Sequence, residues 1–209
     1  MLSLQYLTEN PSNMIGDPSS LATRAACNPQ AFTELYEAYF TRVYNYVRYR
    51  CYDLATADDL TSQVFERLLD RIGLYAPARG PFEAWLFTVA RNVVNSHYRR
   101  LRFPWLVWED LHRQPAGGLT PEETVIKHEA QGDLLAALSR LDERSRDLLS
   151  LKYAARLTSR QIAQMTRLSE SNVRVILHRA LGRLRVELAE AQDAVTKACL
   201  GKELNDGRT

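Results

Sequence analysis

Between Glu170 and Arg185 the chain carries Arg174, Arg179, Arg183 and Arg185 against a single acid, Glu170. Arginine has a planar fork of donors that can grip a guanine edge or a phosphate with two parallel bonds. At helical spacing Ser171, Arg174, Val175, His178 and Arg179 fall on one outward face near a helix start. Val173, Ile176, Leu177, Ala180, Leu181, Leu184 and Leu188 fall on the opposite stripe, at steps of three and four. A solvated amphipathic helix would show the same stripe, so the residues ahead of it decide the reading. Thr158 with Gln161 forms a capping box that starts a shorter helix. Ile162 and Met165 point inward, and Ala163 is small enough for a second helix to approach. Leu168 plugs the turn and Ser169 caps the second helix. Short helix, tight turn and basic second helix make a helix-turn-helix, whose second helix enters the major groove by its N-terminal part. Arg167 holds the turn position often given to glycine, where a left-handed backbone costs on the order of 1 kcal/mol.

Two further constellations lie upstream. In "FEAWLFTVARNVVNSHYRRLR" no acid separates Arg91 from Arg102, and Arg99 and Arg100 lie between them. Phe82 and Trp85 sit at the end of a loop that holds Pro77, Gly80 and Pro81. Cations beside rings suit single-stranded nucleic acid, the cations holding the backbone and the rings stacking on bases. Aromatics at helical spacing equally suit a core. In "TADDLTSQVFERLLDRI" Leu60, Val64, Leu68 and Ile72 form a buried stripe, and Thr56 and Asp59 are cap-like. Asp58, Asp59, Ser62, Gln63, Glu66 and Asp70 form a polar, mostly acidic face. That face is either solvated or a docking surface for a basic partner helix. Phe32, Tyr36, Tyr39, Phe40, Tyr44, Tyr46, Tyr49 and Tyr52 precede it and read mostly as core or half-core.

The elements that position these groups read as helix throughout. Glycine and proline are sparse, strand-like alternation is nearly absent, and the fold class is all-α. Residues 1–27 are expected to form a flexible arm, residues 28–102 one helical domain and residues 131–190 a second, the helix-turn-helix. Residues 103–130 gather Pro104, Pro115, Gly117, Gly118 and Pro121 with an acidic excess, which suits a flexible acidic linker. Residues 191–209 are expected to be a frayed tail. The 209 residues carry 27 basic and 25 acidic side chains, a net charge of +2, so any basic patch must be local. Cys27, Cys51 and Cys199 have no paired or metal-ligand spacing, which points away from a zinc site and toward a reducing compartment. No secretory leader or membrane-length apolar run is visible, so a cytoplasmic protein without membrane insertion is expected. His97, His112, His128 and His178 are dispersed, and no nucleophile elbow or glycine-rich phosphate loop appears. The expectation is a non-enzyme without cofactor or metal.

In this order "ADDLTSQVFERLL", "FEAWLFTVARNVVNSHYRR" and "LSRLDERSRDLLSLKYAARLTSRQIAQMTRLSESNVRVILHRALGRLR" resemble a bacterial RNA polymerase sigma factor of the small, two-domain extracytoplasmic-function group. The resemblance covers about residues 28–189. It implies that the helix-turn-helix reads the minus-thirty-five promoter element, through Arg160, Ser171, Arg174, Val175, His178 and Arg179. It implies that the first domain binds and melts the minus-ten element. The loop of residues 75–82, with Tyr75 and Phe82, would receive a flipped base, and Trp85, Arg91, Asn92, Arg99 and Arg100 would contact the strand. Asp59, Gln63 and Glu66 would dock on core RNA polymerase; the family often has Gln-Glu where this chain has Ser62-Gln63. Promoter DNA, core polymerase and an anti-sigma factor are the partners it implies. The alternative is a stand-alone helix-turn-helix transcriptional regulator.

Overall fold

The computed structural model describes residues 17–51, 53–102 and 125–206, with side chains described for residues 17–51, 53–101 and 132–190. The expected linker therefore lies mostly outside the described residues. Eight α-helices and no strand occur among the described residues: α1 Pro18–Ala25, α2 Pro29–Arg50, α3 Leu54–Arg71, α4 Phe82–Arg102, α5 Val125–Ser139, α6 Glu143–Leu149, α7 Ser159–Thr166 and α8 Glu170–Asp206. Single 3-10 turns at Ile72–Leu74 and Pro77–Arg79 join α3 to α4, and one π-helical turn, Ser150–Ala154, extends α6.

Short polar side chains start most of these helices by accepting amides that have no helical partner. Asp17 accepts from Ser19 and Ser20, Asn28 from Gln30 and Ala31, and Asp142 from Ser145. Proline follows the cap in α1 and α2, where its missing N–H is harmless. The cap of α3 is Asp53, accepting from Thr56 at 2.7 Å, rather than Thr56 or Asp59. The aspartate wins because three residues ahead of Thr56 its carboxylate already reaches that amide.

Two expectations need correction. Residues 18–25 are not a flexible arm: α1 buries Leu21, Ala22 and Ala25 in the core, a stripe too short to announce itself in the sequence. The segment after residue 190 continues as helix to Asp206. The aromatic run is mostly core or half-core as expected: Tyr39 and Tyr46 are buried and Phe32, Tyr44 and Tyr49 half-buried, Tyr36 and Phe40 are 38% and 37% exposed, and Tyr52 lies outside the described residues.

The first domain packs α2, α3 and α4 around Leu35, Val43, Val47, Val64, Leu68, Leu86 and Val94, all fully buried. The second packs α6, α7 and the first half of α8 around Leu148, Leu151, Leu157, Ile162 and Val173. Buried residues of both domains belong to one connected cluster, so the two pack directly on each other. The seam lies between α2 and the π-turn that extends α6. There Arg42, 8% exposed, donates to the Ala155 carbonyl at 2.6 Å, its guanidinium over the rings of Tyr39 and Phe87.

Candidate nucleic-acid interface

The helix-turn-helix is built as its sequence requires. Thr158 and Gln161 form a reciprocal capping box at the start of α7. Arg167 ends α7 in the left-handed region, φ 57° and ψ 33°, and the Leu168 amide donates back to the Ala163 carbonyl at 3.1 Å. Ser169 then caps α8, its hydroxyl accepting from the Asn172 amide at 3.2 Å. Val173, Leu177 and Ala180 are buried, which turns Ser171, Arg174, Val175, His178 and Arg179 outward together, all exposed. Arg160 is exposed at the start of α7. Arg174 pairs with Glu170 one turn earlier. Arg183 turns back to Asp142 at 3.6 Å and so leaves the forward face.

In the first domain the loop of residues 75–82 closes on itself. The Tyr75 hydroxyl donates to the Gly80 carbonyl at 3.1 Å and meets the Ser19 hydroxyl of α1 at 3.0 Å. Tyr75, Phe82 and Trp85 form an aromatic triad with centroids 5.4 to 6.0 Å apart. Phe82 is fully buried against Tyr39, so it backs the loop instead of offering a free face. Tyr75 and Trp85 are half-buried and line a cleft of about 280 Å³ with Arg79, Gly80 and Thr88. The far wall of that cleft comes from α7, through Gln161, Gln164 and Met165. Further along α4, Asn92 and Arg99 are exposed and Arg100 is half-buried.

Arg91 is engaged elsewhere. Its Nε donates to the Asp147 carboxylate of α6 at 2.7 Å. Asp147 is 4% exposed, and it also accepts from the Tyr46 hydroxyl at 3.1 Å and pairs with Arg50. Arg50 further donates to Asn95 at 3.1 Å and lies 3.7 Å from Glu143. Burial, and after it the Asp147 charge, push the Tyr46 phenol well above its ordinary value, so it remains a donor at physiological pH. Sequence reasoning missed this cluster. Each member is an ordinary helix residue, and nothing local in the sequence pairs Tyr46 or Arg50 of α2 with Asp147 of α6.

Asp59, Gln63 and Glu66 share one face of α3, the two acids exposed and Gln63 half-buried. Beside them runs an aromatic flank: Phe40 lies 6.0 Å from Tyr44 and 6.1 Å from Phe65, and Tyr36 lies 4.5 Å from Phe65. Among the described residues no group of His, Cys, Asp or Glu is placed to hold a metal, and no described helix is long and apolar enough to cross a membrane.

Comparison with known proteins bears on both halves. Residues 35–103 match the family Sigma-70 region 2, and residues 131–184 match Sigma-70, region 4. The chain is 33% identical over 152 residues to the ECF RNA polymerase sigma factor BldN of Streptomyces coelicolor, covering 72% of this chain and 58% of that relative's length. It is 34% identical to ShbA of Streptomyces griseus over 64% of this chain and 71% of the relative. It is 27% identical to SigX of Bacillus subtilis, covering 75% and 82%. The fold is shared with CnrH, solved in complex with the cytosolic domain of CnrY, at a TM-score of 0.61 and 23% identity over 86% of this chain and 99% of that one. It is also shared with the sigma factor RpoE of Bartonella quintana, at 0.59 and 18% over 77% and 98%. With both sigma regions matched in order on the two helical domains, the chain belongs to the extracytoplasmic-function family of RNA polymerase sigma factors.

Proposed function

We propose that the chain acts in the cytoplasm as a non-enzymatic initiation factor that brings core RNA polymerase to promoters and opens them, its surfaces dividing the labour. Asp59, Gln63 and Glu66 on α3, flanked by Tyr36 and Phe40, dock on the polymerase. An acidic patch beside exposed rings suits a basic, partly apolar helical partner. Arg174, Val175, His178 and Arg179, with Arg160 and Ser171, read the minus-thirty-five element in the major groove. Tyr75, Trp85 and the cleft between them take a base of the melted minus-ten strand, with Phe82 packed behind. Arg91, Asn92, Arg99 and Arg100 hold the strand. Extruding a base costs a few kcal/mol, and a stacking cleft beside cations offsets that.

The observation that carries this reading is the outward face of α8 on a fully formed helix-turn-helix, in one chain with an aromatic loop and arginine-bearing α4. A stand-alone regulator would not need that first domain. The low net charge of +2 also fits a factor that relies on the polymerase for much of its grip on DNA. RpoE was solved with the anti-sigma factor NepR. That supports control of this chain by an anti-sigma factor as well. Neither cofactor nor metal enters the reading. The test is a pair of variants. Asp59→Lys with Glu66→Lys should lower affinity for core polymerase about tenfold or more. Arg174→Ala should keep that affinity and lose use of the upstream element. Unchanged polymerase affinity in the charge-reversed chain would remove α3 from the docking surface.

A further inference from the structure

The two domains meet through groups that the proposed function needs free. Arg91, assigned to the melted strand, is bound at 2.7 Å by the Asp147 carboxylate of the other domain. The cleft at Tyr75 and Trp85, assigned to the flipped base, is walled by Gln161, Gln164 and Met165 of α7. The elements to be read are about 25 base pairs apart, or about 85 Å along B-DNA. A globule of the size of the described residues has a radius of gyration of about 15 Å. The packed arrangement cannot touch both elements at once, so it must open to work.

We propose that Asp147 is the latch of an autoinhibited closed state, its carboxylate occupying on Arg91 the place of a promoter phosphate. This rests on the proposed function for what the latch withholds, though closure itself does not depend on it. Carboxylate and phosphate bond a guanidinium in the same charge-assisted way, so one group substitutes for the other. Tyr46 and Arg50 hold the carboxylate from α2, which ties the latch to the first domain at three side chains. A buried charge cluster is costly when one member is removed. Without the Asp147 charge, Arg50 and Arg91 face each other with the half-exposed Glu143 left to balance them, and separating the domains returns Arg91 to water. Opening therefore frees the strand-binding arginine and the base cleft in one motion.

The test begins with small-angle X-ray scattering of the full chain alone, comparing wild type with Asp147→Asn and Tyr46→Phe. Tyr46→Phe keeps the ring that packs on Phe87 and removes only the hydroxyl bond, so it is a variant with little reason to misfold. Both variants should show a larger radius of gyration and a two-lobed distance distribution at unchanged helix content, Asp147→Asn more so. Binding of a single-stranded minus-ten oligonucleotide by the full chain should then tighten several-fold in Asp147→Asn, as the competent fraction grows. Scattering curves identical to wild type in both variants would overturn the latch. An opened Asp147→Asn chain that binds the oligonucleotide no more tightly would overturn its inhibitory role. Failure of every chain, wild type included, to bind the oligonucleotide would instead count against the proposed function, while the scattering still decides the latch.

Discussion

The Tyr75 hydroxyl donates to the Gly80 carbonyl at 3.1 Å and so draws the loop ahead of α4 into a closed turn. Gly80 sits at φ +140°, a backbone conformation that side chains avoid, and no atom lies within 4 Å of where its Cβ would be. The obstacle to a side chain there is the backbone itself. Gly80→Ala is expected to keep overall stability within about 1–3 kcal/mol of wild type while distorting the cleft. Promoter opening, followed with a fluorescent base in the minus-ten strand, should fall well before duplex binding does. Equal loss of both would mean the loop does not form the base site.

Glu170 holds Arg174 back along α8. An exposed pair one turn apart is worth only about 0.3–0.5 kcal/mol, so DNA can displace it. Glu170→Gln removes both that competitor and a negative charge facing phosphates. Binding to upstream-element DNA in the holoenzyme should strengthen by a few-fold, more at low salt than at high. Weaker binding would show that Glu170 presents Arg174 rather than restraining it.

Arg167 ends α7 in the left-handed region at φ 57°. Glycine adopts that conformation without the cost of about 1 kcal/mol that a Cβ brings. Arg167→Gly should raise the melting temperature by about 2–4 °C. A lowered melting temperature would reveal a stabilising contact of the Arg167 side chain.

Asp142 caps α6 by accepting from the Ser145 amide at 3.0 Å. Hydrogen bonding from Ser145, with Arg183 nearby, holds its carboxyl below the usual range. A carboxyl with a depressed folded value stabilises the fold above its unfolded value, about 3.9, and loses that contribution as pH falls through the folded one. Asp142→Ala should cost about 1 kcal/mol at neutral pH. In urea melts the gap to wild type should shrink as pH drops below about 4. A gap that stays constant down to about pH 3 would mean that the charge of Asp142 does not matter.

The helix-turn-helix was legible because its determinants are local. Thr158 reaches Gln161 within one turn, and Leu168, Ser169 and the stripe from Val173 to Leu184 lie within a single stretch. Ranking the aromatics was harder, since Tyr36, Tyr39 and Phe40 share one composition and differ only in which face of α2 the core covers. Helix α1 was missed because eight residues offer a stripe of just Leu21, Ala22 and Ala25. The Asp147 cluster was out of reach for a different reason. Its partners lie 101 residues away at Tyr46 and 56 away at Arg91, and a pairing at that separation leaves no period in the sequence.

Whether the chain is an initiation factor is decided by co-elution of the purified full-length protein, free of any inhibitor, with bacterial core RNA polymerase on a sizing column. A stable one-to-one complex, lost when Asp59 and Glu66 are both changed to lysine, is the predicted result. A folded chain that elutes apart from the polymerase at micromolar concentration would contradict it.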